Sequence, residues 1–264
     1  MTCITYTTDF GTKDGYDGVM KGVVHGIVPH VAIYDISHEI SPQNIQEGGL
    51  VLAEHAFYFP PGTVHIIVVD PGVGTKRRAI AARVGEYFFV APDNGVLSRV
   101  FAYAEEQGWP ISVVSTDNPE YWLDQQSNTF HGRDIFSPVG AHLASGVPLK
   151  KLGTTIFDAV RIEIPKAKDA EGKVSGEVIH IDHFGNLCTN INENLLKEKQ
   201  GIKVHIAGKT ITGLVKSFGY SEYDSGELIA LIDSTGFLSI SENKGSGYQI
   251  LQCKVGEPVE ITYK

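Results

Sequence analysis

Apolar and polar positions follow one another in two rhythms along this chain, one up to about residue 160 and another beyond it. In the first part, short apolar runs at 4–7, 31–36 and 64–69 have the length and β-branched content of buried strands. Segments 16–27 and 45–57 lie between these runs and repeat apolar residues at helical spacing. That order predicts an α/β domain. Runs at 80–84 and 87–90 flank Gly85-Glu86 and read as a hairpin, followed by a helix over 96–106, so the central sheet is expected to be mixed.

Residues 163–176 are polar, small and almost free of large apolar side chains, which places the domain junction there, with one domain over 1–165 and another over 166–264. Beyond the junction, 177–181, 202–206, 227–232, 237–240 and 258–263 read as successive strands, and 192–199 reads as the one helix. A smaller C-terminal all-β, barrel-like domain is the expectation. No internal repeat interrupts either part.

Composition narrows the function classes. With 42% apolar and 20% charged residues over 264 positions, the chain falls among ordinary globular proteins and outside disordered, fibrous and disulfide-scaffold classes. A net charge of -9, with Lys76-Arg77-Arg78 as the longest basic run, argues against nucleic acid and anionic membrane as partners. Cys3, Cys188 and Cys253 are odd in number and lack CxxC spacing, so neither a disulfide framework nor a zinc knuckle is indicated. No leader-like or membrane-spanning apolar stretch is present, and a cytoplasmic location is expected.

Five segments carry candidate chemistry. Thr8-Asp9-Phe10-Gly11-Thr12-Lys13-Asp14 follows the first strand, where open α/β sheets bind ligands; its acids serve either ribose hydroxyls or an ammonium, or Asp14 caps the next helix. The loop from Asp70 to Arg78 carries Gly72 and Gly74 with Asp70 and Arg77 as opposite charges, which reads either as a ligand loop or as a tight turn with a surface ion pair. It lacks P-loop spacing. Asn128-Thr129-Phe130-His131-Gly132-Arg133-Asp134 appears at the start of a helix running to Ala144, with His131 either structural or a proton carrier. The segments 181–190, with Asp182, Phe184 and Asn186, and 231–238, with Ser234, offer a carboxylate, an aromatic face and an amide, or are simply polar turns. No histidine spacing supports a zinc site, and no metal is expected.

Taken in order, these segments resemble the S-adenosylmethionine hydrolase family, the S-adenosylmethionine hydroxide adenosyltransferases, relatives of fluorinating and chlorinating enzymes. The resemblance spans nearly the whole chain. It implies hydrolysis of S-adenosylmethionine to adenosine and methionine without a cofactor, with Asp70, Arg77 and His131 holding the attacking water and Arg78 as the adjacent claimant. It further implies Asp9 on the ribose hydroxyls, Thr129 and Phe130 beside the ribose, and Asp14, Asp182 and Ser234 toward the methionine end. Phe184 would stack on the substrate, Asn186 and Tyr220 would serve adenine, and a homotrimer would place the site at subunit interfaces. Gln43, Thr235 and Glu242 depart from the Trp, Arg and Arg of the halogenating relatives. A halogenase and a non-catalytic adenosine or S-adenosylmethionine sensor are the alternatives; the charge of Asp70 opposes a bound halide.

Overall fold

A computed structural model describes residues 2–218 and 224–264 and divides the chain into two units, Met1–Ile164 and Pro165–Lys264. The first unit contains strands β1 (Cys3–Thr8), β2 (Ala32–Ser37), β3 (Val64–Val68), β4 (Ala79–Val84), β5 (Tyr87–Pro92), β6 (Ile111–Ser115) and β7 (Thr154–Ile156). They form one sheet in the order β2-β1-β3-β5-β4-β6-β7. β1 runs parallel to β2 and β3, and β3 parallel to β5, whereas β4, β6 and β7 add antiparallel pairings. The expected mixed α/β sheet is therefore present.

The two faces of β3 explain why its residues, His65 included, are all buried. Val64, Ile66 and Val68 pack with Met20 and Val24 of α1 (Tyr16–Ile27) and Val139 of α4 (Ser137–Ala144). Ile67 faces the other way, with Leu52 of α2 (Ile45–His55) and Val100 and Phe101 of α3 (Ser98–Glu106). Helices cover both faces, so the strand has no solvent-facing row of polar side chains. Each fully buried Leu, Ile or Phe in these layers contributes about 1.5–3 kcal/mol relative to exposure. α4 lies so close to β3 that a methyl at Gly140 would overlap the Ile66 side chain.

The second unit contains β8 (Lys168–Ala170), β9 (Lys173–Ile181), β10 (Leu187–Asn192), β11 (Lys203–Ile206), β12 (Lys209–Thr212), β13 (Leu228–Ile232), β14 (Phe237–Glu242) and β15 (Pro258–Thr262). The order is β12-β11-β15-β9-β10-β14-β13, with β8 added on β9 and every strand pair antiparallel. A bridge from Val215 to Leu231 brings the two ends of this path together. The nearly closed, barrel-like sheet surrounds Val178, Leu187, Val204, Ile240 and Ile261.

Two local expectations are corrected. Residues 192–199 do not form a helix: Asn192 accepts from the Asn194 N–H, only Glu193–Leu195 coils as a 3-10 turn, and Glu198 breaks away at φ 67°. A short helix, α5 (Gly247–Leu251), occurs instead, capped by Ser246. Within the polar stretch 163–176, β8 pairs with the start of β9. Asp14 does not cap α1; that helix begins after Gly15, which sits at φ 73° with no side-chain cap. Among the described residues no helix is long and apolar enough to cross a membrane.

Candidate active site

Asp70 stands two residues beyond the end of β3, where the chain leaves the sheet and turns back toward β4. The loop is tight: Val73 N–H donates to the Asp70 carbonyl at 3.2 Å, and Thr75 N–H to that of Gly72 at 3.1 Å. Gly74 holds φ 76°, and a Cβ there would overlap the Asn128 carbonyl. Only glycine lets this loop meet the 128 segment backbone to backbone. The fold thereby presses together two loops that are far apart in sequence.

Arg77 reaches back across the loop. Its Nε lies 2.9 and 3.0 Å from the two Asp70 carboxylate oxygens, and its Nη2 donates to Asp70 Oδ2 as well. The side chains are only 10% and 5% exposed, so the reading of a surface ion pair is corrected: this pair is buried. The guanidinium also lies 5.1 Å from the Phe136 ring centre. Removing one partner from a buried pair of this kind costs about 3–5 kcal/mol, because the other charge is left uncompensated.

The same Nη2 donates to His131 Nδ1 at 2.8 Å. Arginine has no acceptor, so Nδ1 must be unprotonated and the neutral ring carries its proton on Nε2. Burial and then the Arg77 charge hold the His131 pKa below the ordinary imidazole value, while Asp70, Asp134 and the Ser127 backbone pull the other way. His131 is thus a neutral, oriented ring rather than a second cation. Asp70, Arg77 and His131 form one continuous hydrogen-bonded group.

The turn that presents His131 is unusual. Gly132–Phe136 is a π-helical turn that runs into α4, and Asp134, fully buried within it, accepts from the Ser127 N–H at 2.8 Å and from Arg133 Nε at 2.6 Å. Ser127 Oγ in turn accepts from the Phe130 N–H at 3.1 Å. Such turns concentrate at functional sites. Burial pushes the Asp134 pKa up, but the Arg133 and Ser127 contacts together outweigh it and hold the pKa below the usual carboxylate value. Sequence reasoning assigned no role to Asp134 or Ser127, because their partnership depends on a turn that no periodicity announces.

Arg78 points elsewhere. It binds Asp93 through Nε at 2.8 Å and Asp158 through Nη1 at 2.8 Å, so its charge is already engaged. Arg77 alone of the adjacent pair joins the Asp70 and His131 group.

Asp9 lies half-buried after β1, its Oδ2 accepting the Gln43 N–H at 2.7 Å. Burial raises its pKa, the Gln43 bond opposes this, and the nearby charge of Asp70 raises it further. Gln43 occupies the left-handed region at φ 66°, a strained setting for a side-chain-bearing residue. Phe130 packs edge-on with Phe10 at 6.0 Å and Tyr16 at 5.3 Å, giving a small aromatic cluster that sequence reasoning did not assemble. Thr129 and Asp14 are exposed.

The remaining predicted residues belong to the second unit. Asp182 folds its own turn, with Oδ1 accepting from the N–H groups of Phe184 at 2.9 Å and Asn186 at 2.8 Å, and Oδ2 from Asn186 Nδ2 at 2.7 Å. Asn186 is buried, while Phe184 is 73% exposed beside His183. Ser234 is exposed in the turn between β13 and β14, at the other end of the β10–β14 pair, a turn shaped by Asp233, which accepts from the Thr235 N–H at 2.8 Å. Glu242 accepts from the Ser246 N–H at 2.6 Å. Tyr220 lies outside the described residues. Among the described residues no group of three or more His, Cys, Asp or Glu is arranged to hold a metal.

Comparison with known proteins follows the same two segments. Residues 4–153 match the SAM hydroxide adenosyltransferase N-terminal domain, and residues 176–260 the corresponding C-terminal domain. The chain is 35% identical over 270 residues to an (R)-S-adenosyl-L-methionine hydrolase of Salinispora tropica, covering 98% of this chain and 97% of that one. A fluorinase from Actinoplanes sp. is 30% identical over 293 residues, with 98% and 97% covered. A crystal structure of an uncharacterized conserved protein from Thermotoga maritima superimposes with a TM-score of 0.89 at 40% identity, covering 98% of this chain and 99% of that one.

Proposed function

This chain belongs to the SAM hydroxide adenosyltransferase family, and we propose on that footing that it hydrolyses S-adenosyl-L-methionine to adenosine and L-methionine by in-line attack of water or hydroxide at ribose C5′. The observation that carries the mechanism is the buried group of Asp70, Arg77 and His131. The sulfonium is already a good leaving group, so the chemistry turns on the nucleophile. The water oxygen forms a bond to C5′ as the C5′–S bond breaks, and that electron pair leaves on sulfur as the neutral thioether of methionine. The water proton passes to Asp70 and then to solvent.

Arg77 holds the Asp70 carboxylate in place, and His131, neutral and with Nδ1 occupied, orients rather than deprotonates the water. Placing the oxygen about 3–3.5 Å from C5′ removes much of the entropic part of the barrier. Asp9 takes the ribose hydroxyls, with Thr129 and Phe130 beside the ribose. Asp14, Asp182 and Ser234 face the methionine end, Phe184 stacks, and Asn186 and Tyr220 serve adenine. Asp182 brings to this role only the lone pairs its own turn leaves free. A homotrimer with sites at subunit interfaces and a cytoplasmic location complete the reading.

The test is incubation of purified, metal-free protein with S-adenosylmethionine in ¹⁸O-labelled water, the two sulfonium epimers being supplied separately because the Salinispora relative is named for the R form. Adenosine carrying ¹⁸O at the 5′ position is expected. Binding without adenosine formation would overturn hydrolysis in favour of a sensor, and a 5′-halo-adenosine formed in chloride or fluoride would favour a halogenase.

A further inference from the structure

The turn that carries Asp9 is secured from behind by His38, a buried residue just beyond β2 that takes no part in the mechanism above. Along a regular strand, residues three apart face opposite sides, so Asp35 and His38 should diverge. They do not, because the pairing of β1 with β2 passes from Tyr6 opposite Asp35 directly to Thr7 opposite Ser37. Ile36 is the extra residue of a bulge, and one extra residue restores the parity. Asp35 and His38 consequently share the face of Tyr6 and Thr8.

The contacts follow from that parity. His38 Nδ1 lies 2.7 Å from Thr8 Oγ1. Its Nε2, buried and without a hydrogen-bond partner, lies 3.0 Å from Asp35 Oδ1, off the line a full hydrogen bond needs. Asp35 Oδ2 binds Lys21 of α1 at 2.6 Å, and Lys21 also binds Asp17 at 3.2 Å. The Asp35 carboxylate beside Nε2 favours the imidazole proton on that nitrogen, so Nδ1 accepts from the Thr8 hydroxyl, whose oxygen in turn accepts the Phe10 N–H at 3.3 Å. The His38 carbonyl also accepts the Gly11 N–H at 2.7 Å.

Carboxylate, imidazole and hydroxyl thus stand in the order of a nucleophilic triad, yet Thr8 is fully buried, so its hydroxyl is an anchor and not a nucleophile. We infer that His38 is a positioning residue for the hydrolysis: through the Thr8 hydroxyl and the Gly11 amide it fixes residues 8–11, and with them the aim of the Asp9 carboxylate at the ribose hydroxyls. The inference rests on the hydrolase reading for the role of Asp9. It adds a residue and a device, the β2 bulge, that act through Asp9 without touching substrate.

The experiment compares wild type with His38→Ala, His38→Asn, His38→Gln and Thr8→Val, reading KM and kcat for S-adenosylmethionine and the Kd of adenosine against 2′-deoxyadenosine. His38→Ala and Thr8→Val should each raise KM about tenfold with far less change in kcat, and should erase most of the preference for adenosine over its deoxy analogue. The Asn amide reaches the Nδ1 position and restores that preference; the Gln amide reaches only toward Nε2 and does not. Unchanged KM and preference in His38→Ala and Thr8→Val would overturn the inference. So would equal weakening of both nucleosides, or an Asn variant no better than Ala. If His38→Ala fails to fold, Thr8→Val and the Asn and Gln pair decide the matter. A wild type that binds adenosine but never turns over would sink the hydrolase reading, while the nucleoside preference would still judge His38.

Discussion

Three of the five N–H donors of Arg77, the one on Nε and the two on Nη2, are engaged inside the protein by Asp70 and His131. Asp70→Asn keeps an acceptor for it but removes the base, so kcat should fall by about 10²–10⁴ while KM moves little, as steady-state kinetics would show. Arg77→Lys loses the planar fork and should behave almost as badly. Arg78→Lys should leave kcat near the wild-type value, since Arg78 serves Asp93 and Asp158. Equal losses for the two lysine variants would contradict the assignment. His131, held below the ordinary imidazole value, should put the acid limb of the kcat/KM profile below about pH 6.5 and leave no histidine titration at pH 7 to 8. At this scale the sequence revealed which residue types clustered near strand ends, and family resemblance named the trio. Asp134, Ser127 and His38 were not legible, because each acts through a π turn or a bulge that leaves no mark on spacing.

The elements were legible where an apolar run had a strand's length and stood clear of its neighbours, as in β1, β3, β4 and β5. β10 escaped notice because its polar side chains are inward-serving: Thr189 donates to the Leu238 carbonyl at 2.8 Å, and Asn190 accepts from the Glu177 N–H at 2.9 Å. Short strands such as β7 and β8 carry too few residues to show a period. One buried pair between elements yields a stability prediction. His65 of β3 is enclosed, stacked on Phe89 with Nδ1 2.7 Å from Thr5 Oγ1 of β1, and burial pushes its pKa down to about 3. The unfolded chain takes up a proton below about pH 6.5 that the folded chain refuses until near pH 3, so stability is intact above that window and lost as pH falls through it. The loss from this residue reaches roughly 4–5 kcal/mol. Denaturant unfolding across pH 7 to 3 should show a shallower acid slope in a Thr5→Val, His65→Phe double variant than in wild type. Gly74→Ala should lower kcat and thermal stability together, since it parts the two loops that the trio joins.

At the scale of the whole molecule, a trimer and a reaction that needs no added cofactor are the expectations to measure. Light scattering at micromolar concentration should give three times the chain mass, and a monomer would remove the shared-site arrangement. Turnover should survive exhaustive EDTA treatment unchanged. High chloride should neither yield a 5′-chloro product nor inhibit strongly, because the place a halide would need is lined by the Asp70 carboxylate, whose charge Arg77 balances but does not reverse.

Every donor of the Arg77 fork that faces Asp70 and His131 is engaged by a group of the protein itself. The ordering that a solution reaction must achieve anew at each event has therefore been completed once, during folding, and is stored as geometry. Heat would act on such a site by loosening a finished frame rather than by speeding its assembly, so the temperature at which turnover fails should coincide with the temperature at which the Met1–Ile164 unit melts.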